Sequence, residues 1–502
     1  MAVINGNASS EILVGRNDED DTINGNDGND TLEGVGGNDL LNGEGGNDLL
    51  NGGDGNDTLN GGALGTDTLN GGAGRDWADY SASGSAVTIT LLAGTGTGGY
   101  AQGDVFINIE HLIGSAHNDN LTGNGGRNIL RGGVGADTLD GGAGRDRLDY
   151  RDSDEGVTVN LATNTASGGH AQGDKLKSIE NITGSAYGDT LTGNDKKNNL
   201  RGAEGADTLD GGAGRDTAGY WGSDAGVNVS LVSGAVNTGG HAAGDVLRNI
   251  ERLRGSKHND TLTGDANSNN LRGGAGADVL DGGGGRHDRA DYRGSNAAVN
   301  VDLSTGTGTG GHAQGDVLTN IEHLRGSNHN DTLTGNDAQN ALRGGPGADT
   351  LIGGRARDLA DYRGSNAAVN VNLTEGTGTG GHAEGDVLSN IESLRGSDHA
   401  DTLTGNQRNN GLEGGKGADT LTGGSNYDKF VYITSEDWDG DVITDYDIVR
   451  DIIRIRSDDV ALDDLIIADD GANATITWDG AILTLMDIDH SQISANDFIF
   501  GA

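Results

Sequence analysis

Gly52-Gly53-Asp54-Gly55-Asn56-Asp57-Thr58-Leu59 is the stretch that decides the fold. Its last Asp belongs to a series, Asp21, Asp30, Asp39, Asp48 and Asp57, spaced nine residues apart. One extra residue intervenes, and the series resumes at Asp67 and Asp76. Two places after the Asp stands an apolar residue: Ile23, Leu32, Leu41, Leu50, Leu59 and Leu69. The repeating unit is Gly-Gly-x-Gly-x-Asp-x-Leu-x. Its glycine half suits a tight turn and weakens helix or strand. Its Asp-x-Leu half suits a very short strand with Leu inward. Nine residues then make half a coil, and Asp residues eighteen apart, such as Asp39 and Asp57, stack on one edge about 4.8 Å apart.

Two bare carboxylates at that spacing repel by about 1 kcal/mol in water and about 3 kcal/mol at an effective dielectric near 20. Repeated along an edge, this would defeat a thin core. A hard divalent cation reverses the sign. Ca²⁺ suits mixed carboxylate and carbonyl oxygens, whereas Mg²⁺ demands a tighter octahedron and keeps its waters. The nonapeptides resemble those of RTX proteins, the hemolysin-type calcium-binding repeats. The resemblance implies a parallel β-roll with multiple Ca²⁺ ions between successive turns.

A second period covers the middle of the chain. Tyr80, Tyr150, Tyr220, Tyr292, Tyr362 and Tyr432 recur at intervals of 70 to 72 residues. Each unit holds an alternating run such as Val299-Asn300-Val301-Asp302-Leu303, which reads as a half-buried strand. A Gly/Thr-rich turn, His312-Ala313-Gln314-Gly315-Asp316 and Ile321-Glu322-His323-Leu324 follow, then four nonapeptide steps. The first slot of those steps is Asp119, Asp189, Asp260, Asp331 or Asp401, and the second is always Asn: Asn128, Asn198, Asn269, Asn340 or Asn410. The third is Asp137, Asp207, Asp278, Asp349 or Asp419, and the fourth Asp146, Asp216, Asp288, Asp358 or Asp428. Asn keeps one oxygen ligand and loses the charge, so the second slot is a weak site or none. His117, His258, His329 and His399 stand in the first slot where Gly is expected, as residues tolerant of a left-handed backbone. The third and fourth slots therefore rank strongest. All the Asp slots, with Asp21 to Asp76, are candidate metal ligands.

Asp104, Asp174, Asp245, Asp316 and Asp386 read as turn residues bonding their own backbone rather than as further ligands. His170, His241, His312 and His382 read as solvated loop histidines. The stretches 94–99, 306–311 and 376–381 satisfy a dinucleotide fingerprint but precede another turn, not a helix. Asp437-x-Asp439-Gly440-Asp441 hints at an EF-hand loop yet lacks its Gly and terminal Glu (Val442, Ile448).

After Gly424 glycine thins and apolar residues cluster. Strands are expected at Phe430–Ile433, 441–446 and 451–455, with a hairpin over Asp479-Gly480. This segment resembles the C-terminal part of serralysin-type RTX proteins in Asp441-Val442-Ile443-Thr444-Asp445-Tyr446 and the tail Asp497-Phe498-Ile499-Phe500, departing at Arg454 and Arg456. The resemblance implies a cap and an uncleaved type I secretion signal. A solenoid needs such a cap in any case.

Composition closes off other classes. The 502 residues carry 77 acidic against 33 basic side chains, a net charge of −44, with 94 Gly, one Pro, no Cys, 32% hydrophobic and 4% aromatic residues. There is no disulfide or cysteine–zinc chemistry. The charge is of the wrong sign for nucleic acid. No apolar run approaches a membrane span of roughly 20 residues. The N-terminus lacks the basic start and apolar core of a cleaved signal peptide.

The fold expected is all-β, a parallel β-roll of Gly/Asp-rich nonapeptides with a C-terminal β-rich cap. It divides into 1–80, an N-terminal roll; 81–424, tandem units of about 70 residues; and 425–502, a capping and type I secretion segment. About 23 coils would make a rod on the order of 110 Å long. The function expected is a secreted, extracellular calcium-binding protein with a structural or interaction role, no catalysis, and a glycan or cell-surface partner. It would leave a Gram-negative cell through the type I secretion machinery. The alternatives are a targeting module of a polysaccharide-modifying enzyme of the mannuronan epimerase kind, and an adhesin or ice-binding surface.

Overall fold

Each Thr-Leu-Asn-like triplet forms a three-residue strand whose middle side chain turns inward, because neighbouring residues point to opposite faces. The computed structural model describes residues 2–433, 437–438, 440–457 and 459–501. It divides into two compact units, Met1–Arg254 and Gly255–Ala502.

In the first unit two parallel sheets face each other across one thin core. Sheet 1 stacks Thr22–Asn24, Leu40–Asn42, Thr58–Asn60 and Trp77–Asp79, with Ile23, Leu41, Leu59 and Ala78 in one column. Sheet 2 stacks Thr31–Gly36, Leu49–Gly55 and Thr68–Gly74, with Leu32, Leu50 and Leu69 in register. All seven side chains are fully buried. Burying each large aliphatic one is worth about 1.5–3 kcal/mol. So narrow a core has little margin for an uncompensated buried charge.

The 70-residue units depart from a uniform eighteen-residue coil. Trp77–Asp79 pairs directly with His111–Ile113, so that this coil runs 34 residues, from 77 to 111. The next two steps, to Ile129–Arg131 and Arg147–Asp149, return to eighteen. The extra length builds an antiparallel excursion in sheet 2. Thr88–Thr90 pairs with Thr95–Thr97, which meets Val105–Ile107, and the last strand rejoins Thr68–Asn70 in parallel. Counting coils at eighteen residues each therefore overstates their number. In the second unit the alternating run 299–303 forms the strand Asn300–Asp302 with Val301 buried, as its pattern predicts. The glycine stretches 94–99, 306–311 and 376–381 end in 3₁₀ turns at Gly99–Ala101, Gly311–Ala313 and Gly381–Ala383. They have no dinucleotide-binding context.

The second unit ends in a cap that prolongs that unit's two stacks of parallel strands with larger side chains. Lys429–Tyr432 pairs with Gly411–Glu413 and Ile452–Ile455, which then receives Phe498–Phe500. Val442–Ile443 joins Thr420–Gly424 to Ala481–Leu485. The expected hairpin is Asn473–Trp478 and Ala481–Leu485, with Asp479 and Gly480 at φ 50° and 87°, the left-handed pair a tight hairpin turn demands. Trp438 sits edge-on to both Tyr432 and Trp478 at 5.3 Å and is fully buried. Asp439 of the EF-hand-like stretch and the terminal Ala502 lie outside the described residues.

Candidate metal centre

The aspartates do stack, and the backbone holds them. Asp21 N–H donates to Asp39 Oδ1 at 2.7 Å, Asp39 N–H to Asp57 Oδ1 at 2.8 Å, and Asp57 N–H to Asp76 Oδ1 at 2.8 Å. On the other edge Asp30 donates to Asp48, Asp48 to Asp67 and Asp67 to Asp104, at 2.7 to 2.8 Å. Each carboxylate thus pins one coil to its predecessor through Oδ1. The second oxygen is different. Oδ2 of Asp30, Asp39, Asp48, Asp57 and Asp76 is buried with no hydrogen-bond partner. An ionised oxygen in that position is untenable without a counter-charge.

Glycine leaves the room that Oδ2 faces. A Cβ added at Gly43 would lie 2.5 Å from Asp48 Oδ2 and 2.6 Å from the Gly61 carbonyl oxygen. A carboxylate oxygen and a backbone carbonyl therefore converge on space only glycine keeps open. This hard, all-oxygen donor set fits Ca²⁺, which takes its ligands at about 2.3–2.6 Å.

The four slots of the 70-residue units differ in how far they are satisfied internally. In the first, Asp119 Oδ2 accepts Ser115 N–H at 2.5 Å, while Oδ1 accepts Val87 N–H at 2.7 Å and the Ser115 hydroxyl at 2.9 Å. Ser185, Ser256, Ser327 and Ser397 seal Asp189, Asp260, Asp331 and Asp401 in the same way. In the second slot, Asn128 Oδ1 accepts Asn124 N–H at 2.8 Å and its Nδ2 donates to the Glu110 carbonyl at 2.7 Å. The amide nitrogen bonds directly to a carbonyl that an Asp carboxylate could meet only through a bridging cation. In the third and fourth slots, Oδ2 of Asp137, Asp207, Asp278, Asp349, Asp419, Asp146, Asp216, Asp288, Asp358 and Asp428 is buried and unpartnered. In the N-terminal series Asp21 is exceptional, since its Oδ2 accepts Arg16 N–H at 2.7 Å. Asp67 is buried within the ladder.

Three expectations need correction. The first-slot histidines, His117, His258, His329 and His399, are absent from the residues with positive φ. Their N–H groups donate instead to the sealing serine hydroxyls at 3.0–3.1 Å, which makes a turn of ordinary hand. The side chains of Asp104, Asp174, Asp245, Asp316 and Asp386 do not bond their own turns; only their backbone N–H groups do. Asp104 Oδ1 accepts Asp67 N–H at 2.8 Å and its Oδ2 accepts the Tyr80 hydroxyl at 2.6 Å. Tyr150, Tyr220, Tyr292 and Tyr362 cap the other four at 2.8–2.9 Å, which explains the tyrosine period. The loop histidines are not fully solvated either. His241 is 9% exposed and half-buried His170, His312 and His382 follow it in sitting over a serine hydroxyl.

Sequence reasoning missed the glutamates. Oε2 of Glu110, Glu180, Glu251, Glu322 and Glu392 accepts the N–H of Asp76, Asp146, Asp216, Asp288 and Asp358 at 2.8–3.1 Å, standing in for Asp on the long coils. The recurrent Ile-Glu pair was the signal. Asp441 and Asp451 close the two ladders in the cap, accepting from Asp419 and Asp428 at 2.7 and 2.9 Å. Among the described residues, only exposed Asp469, Asp489 and His490 bring three carboxylate or imidazole groups together, so the ladder must draw on carbonyls as well.

Burial pushes Asp137, Asp207, Asp278 and Asp349 up to about 8. The amide of the preceding Asp opposes this, and neighbouring carboxylates add to it. The same balance, led by burial, sets Asp57, Asp146, Asp216, Asp288, Asp358 and Asp428 at about 6. A carboxyl raised in the folded state favours folding while protonated. That contribution is complete below the ordinary carboxyl range and is lost as pH rises through about 6 to 8. In chelator the protein should therefore hold more β-structure by circular dichroism near pH 5 than near pH 8.5, and calcium added near pH 7 should release protons. Stability in chelator that climbs with pH would contradict this. The slots should also separate. Asp137→Ala should raise the calcium midpoint of hydrogen-exchange protection across residues 115–150, whereas Asn128→Ala should lower protection without moving that midpoint.

The RTX calcium-binding nonapeptide repeat model matches residues 5–41, 16–50, 33–64, 62–79, 113–148, 183–218, 254–286, 325–360 and 395–430, about half of the chain. No curated protein matches the sequence. Among solved structures, the extracellular lipase LipA from Serratia marcescens aligns with 64% of this chain at 14% identity and a TM-score of 0.19. The alignment covers 40% of the lipase. The matched stretches coincide with the nonapeptide loops in which Asp, glycine and carbonyl oxygens converge, and the chain belongs to the RTX calcium-binding repeat family.

Proposed function

We propose that this calcium-binding β-roll is an exported structural and contact protein whose folding is coupled to its ions. The observation that supports it is the row of buried, unpartnered Asp Oδ2 atoms. We assign the principal calcium ligands to Asp30, Asp39, Asp48, Asp57 and Asp76 and to the third- and fourth-slot aspartates. Asp21, Asp67 and the first-slot aspartates act as secondary or structural rungs. Residues 1–80 form a continuous calcium-binding roll, 81–424 carry it forward in long units, and 425–502 cap it. A low-calcium cytosol leaves the acidic repeats unfolded and fit for a narrow export channel. Calcium outside folds them, and the roll then meets a glycan or cell-surface partner. The proposal assigns the chain no reaction.

Extracellular calcium modules bind at roughly 10⁻⁴–10⁻³ M. One site at ten times its Kd adds only about 1.4 kcal/mol, but the sites add up. At neutral pH, far-ultraviolet circular dichroism should show mostly coil in chelator and β-structure at millimolar calcium. A neutral chelated sample with the full β signal would refute the coupling. Export is separable. Deleting residues 440–502 should hold the chain inside a cell carrying a matching type I exporter, and that segment should carry an unfolded passenger out. If the truncated chain reaches the medium at the full-length level without lysis, the segment is a cap alone.

A further inference from the structure

In a chain so acidic, the outer face of sheet 1 runs against the rest. In the first unit, Arg75, Arg127, Arg145, Arg147 and Arg254 line a cavity of about 220 Å³ whose lining holds no carboxylate. Their placement follows from the repeat. Arg75 directly precedes Asp76 of the N-terminal series, Arg145 directly precedes the fourth-slot Asp146, and Arg147 is an outward residue of the strand that follows. Arg145 Nη2 donates to the Lys197 carbonyl at 3.4 Å, which holds it over the groove. The second unit repeats the theme. There Arg286, Arg357, Arg395, Arg454, Arg456 and Lys429 outnumber Glu322 and Glu413 around a cavity of about 770 Å³. The Debye length is about 8 Å at physiological salt, so distant acids do not cancel so local a positive field.

The first-unit cavity also contains polar groups that lack partners, two of them uncharged. Thr183 Oγ1, Asn199 Oδ1 and Arg147 Nε are buried without a hydrogen bond, and Thr183 is 1% exposed. They lie on adjoining rungs, since Arg147 pairs with Asn181 and Asn181 with Asn199. Buried polar groups are nearly always satisfied, so these call for a ligand that brings hydroxyls as well as an anion. Base stacking is not on offer. Arg131 covers Trp77 at 5.5 Å, and Arg201 and Arg254 lie over Trp221 at 5.4 and 4.9 Å.

We propose that this groove binds an acidic sugar of a linear polysaccharide, its carboxylate held by Arg127, Arg145 and Arg147 and its hydroxyls by Thr183 and Asn199. Arginine favours this ligand because its planar fork meets a carboxylate through two parallel hydrogen bonds. Rungs repeat about every 4.8 Å, so an extended chain can place successive sugars along the face. The inference rests on the glycan reading above and names its site.

The test is calorimetric titration of the calcium-loaded full chain with trigalacturonate, which is too short to gel. Maltotriose and a thymidine dodecamer serve as comparators. Trigalacturonate should bind more tightly than either. Arg145→Gln with Arg147→Gln should weaken it by about tenfold or more, in keeping with the loss of charge-assisted pairs. Thr183→Val should weaken it with the calcium-induced circular dichroism unchanged, and carries the test if the double variant fails to fold. The control Lys175→Gln with Lys177→Gln, on the opposite sheet, should bind as the parent does. If trigalacturonate binds parent and groove variants alike, the groove is wrong and the glycan reading stands. If neither sugar binds, both fall. Tighter binding of the thymidine oligomer would make the groove a nucleic-acid site and overturn the proposal.

Discussion

Everything in this molecule depends on carboxylates buried along the edges of the coils, one oxygen tied to a backbone amide and, in the open rungs, the other left for a cation. The tie sets the stacking, because each amide donates to the Asp of the following coil. The other oxygen sets the chemistry. It requires glycine above it, as at Gly43, and it requires positive charge. The core is one column of apolar side chains, mostly Leu, per sheet and cannot absorb repeated charge repulsion by itself. On the proposed reading calcium is part of the fold, and in its absence protons are the natural substitute.

The chain varies this one motif to adjust how much of the roll depends on the ion. Residues 30–76 keep nearly every rung open. Each long unit instead mixes rung types. A serine seals the first Asp, an Asn carries its own donor in the second slot, a tyrosine hydroxyl caps the Asp of the long coil, and a Glu bridges the other edge. Only the third and fourth slots stay open. Sealed rungs stabilise the stack at any calcium concentration, and open ones contribute only when an ion or a proton neutralises them. The same repeat sets the arginines beside the fourth slot, so the scaffold that gathers cations on its edges shows an anion-seeking face on one sheet.

Much of this was legible in the sequence, because nine-residue spacing dictates two strands per coil and eighteen-residue stacking, as Asp39 and Asp57 demonstrate. The difference between the second and third slots was legible too, since Asn128 loses its charge on sight and Asp137, which keeps its glycines, has an unpartnered Oδ2. What stayed hidden depends on contacts distant in sequence. Asp104 looks like a turn residue until Tyr80, 24 positions away, is seen to reach its Oδ2. Glu110 has no local signature of a rung, because its partner amide lies on Asp76. His117 stands in the sequence where Gly is expected, although Ser115 reshapes that loop so that His117 is not left-handed. The 34-residue coil was hidden because only strand pairing around the antiparallel excursion brings Ala78 beside Leu112.

The most direct test is anomalous diffraction from crystals grown in calcium. The account predicts peaks about 2.3–2.6 Å from Oδ2 of Asp137, Asp146 and their equivalents, and from Asp39, Asp48 and Asp57, with none on the sealed oxygens of Asp119 or on Asn128. Peaks confined to the first and second slots, or Oδ2 atoms of the third and fourth slots bonded only to protein and water, would contradict it.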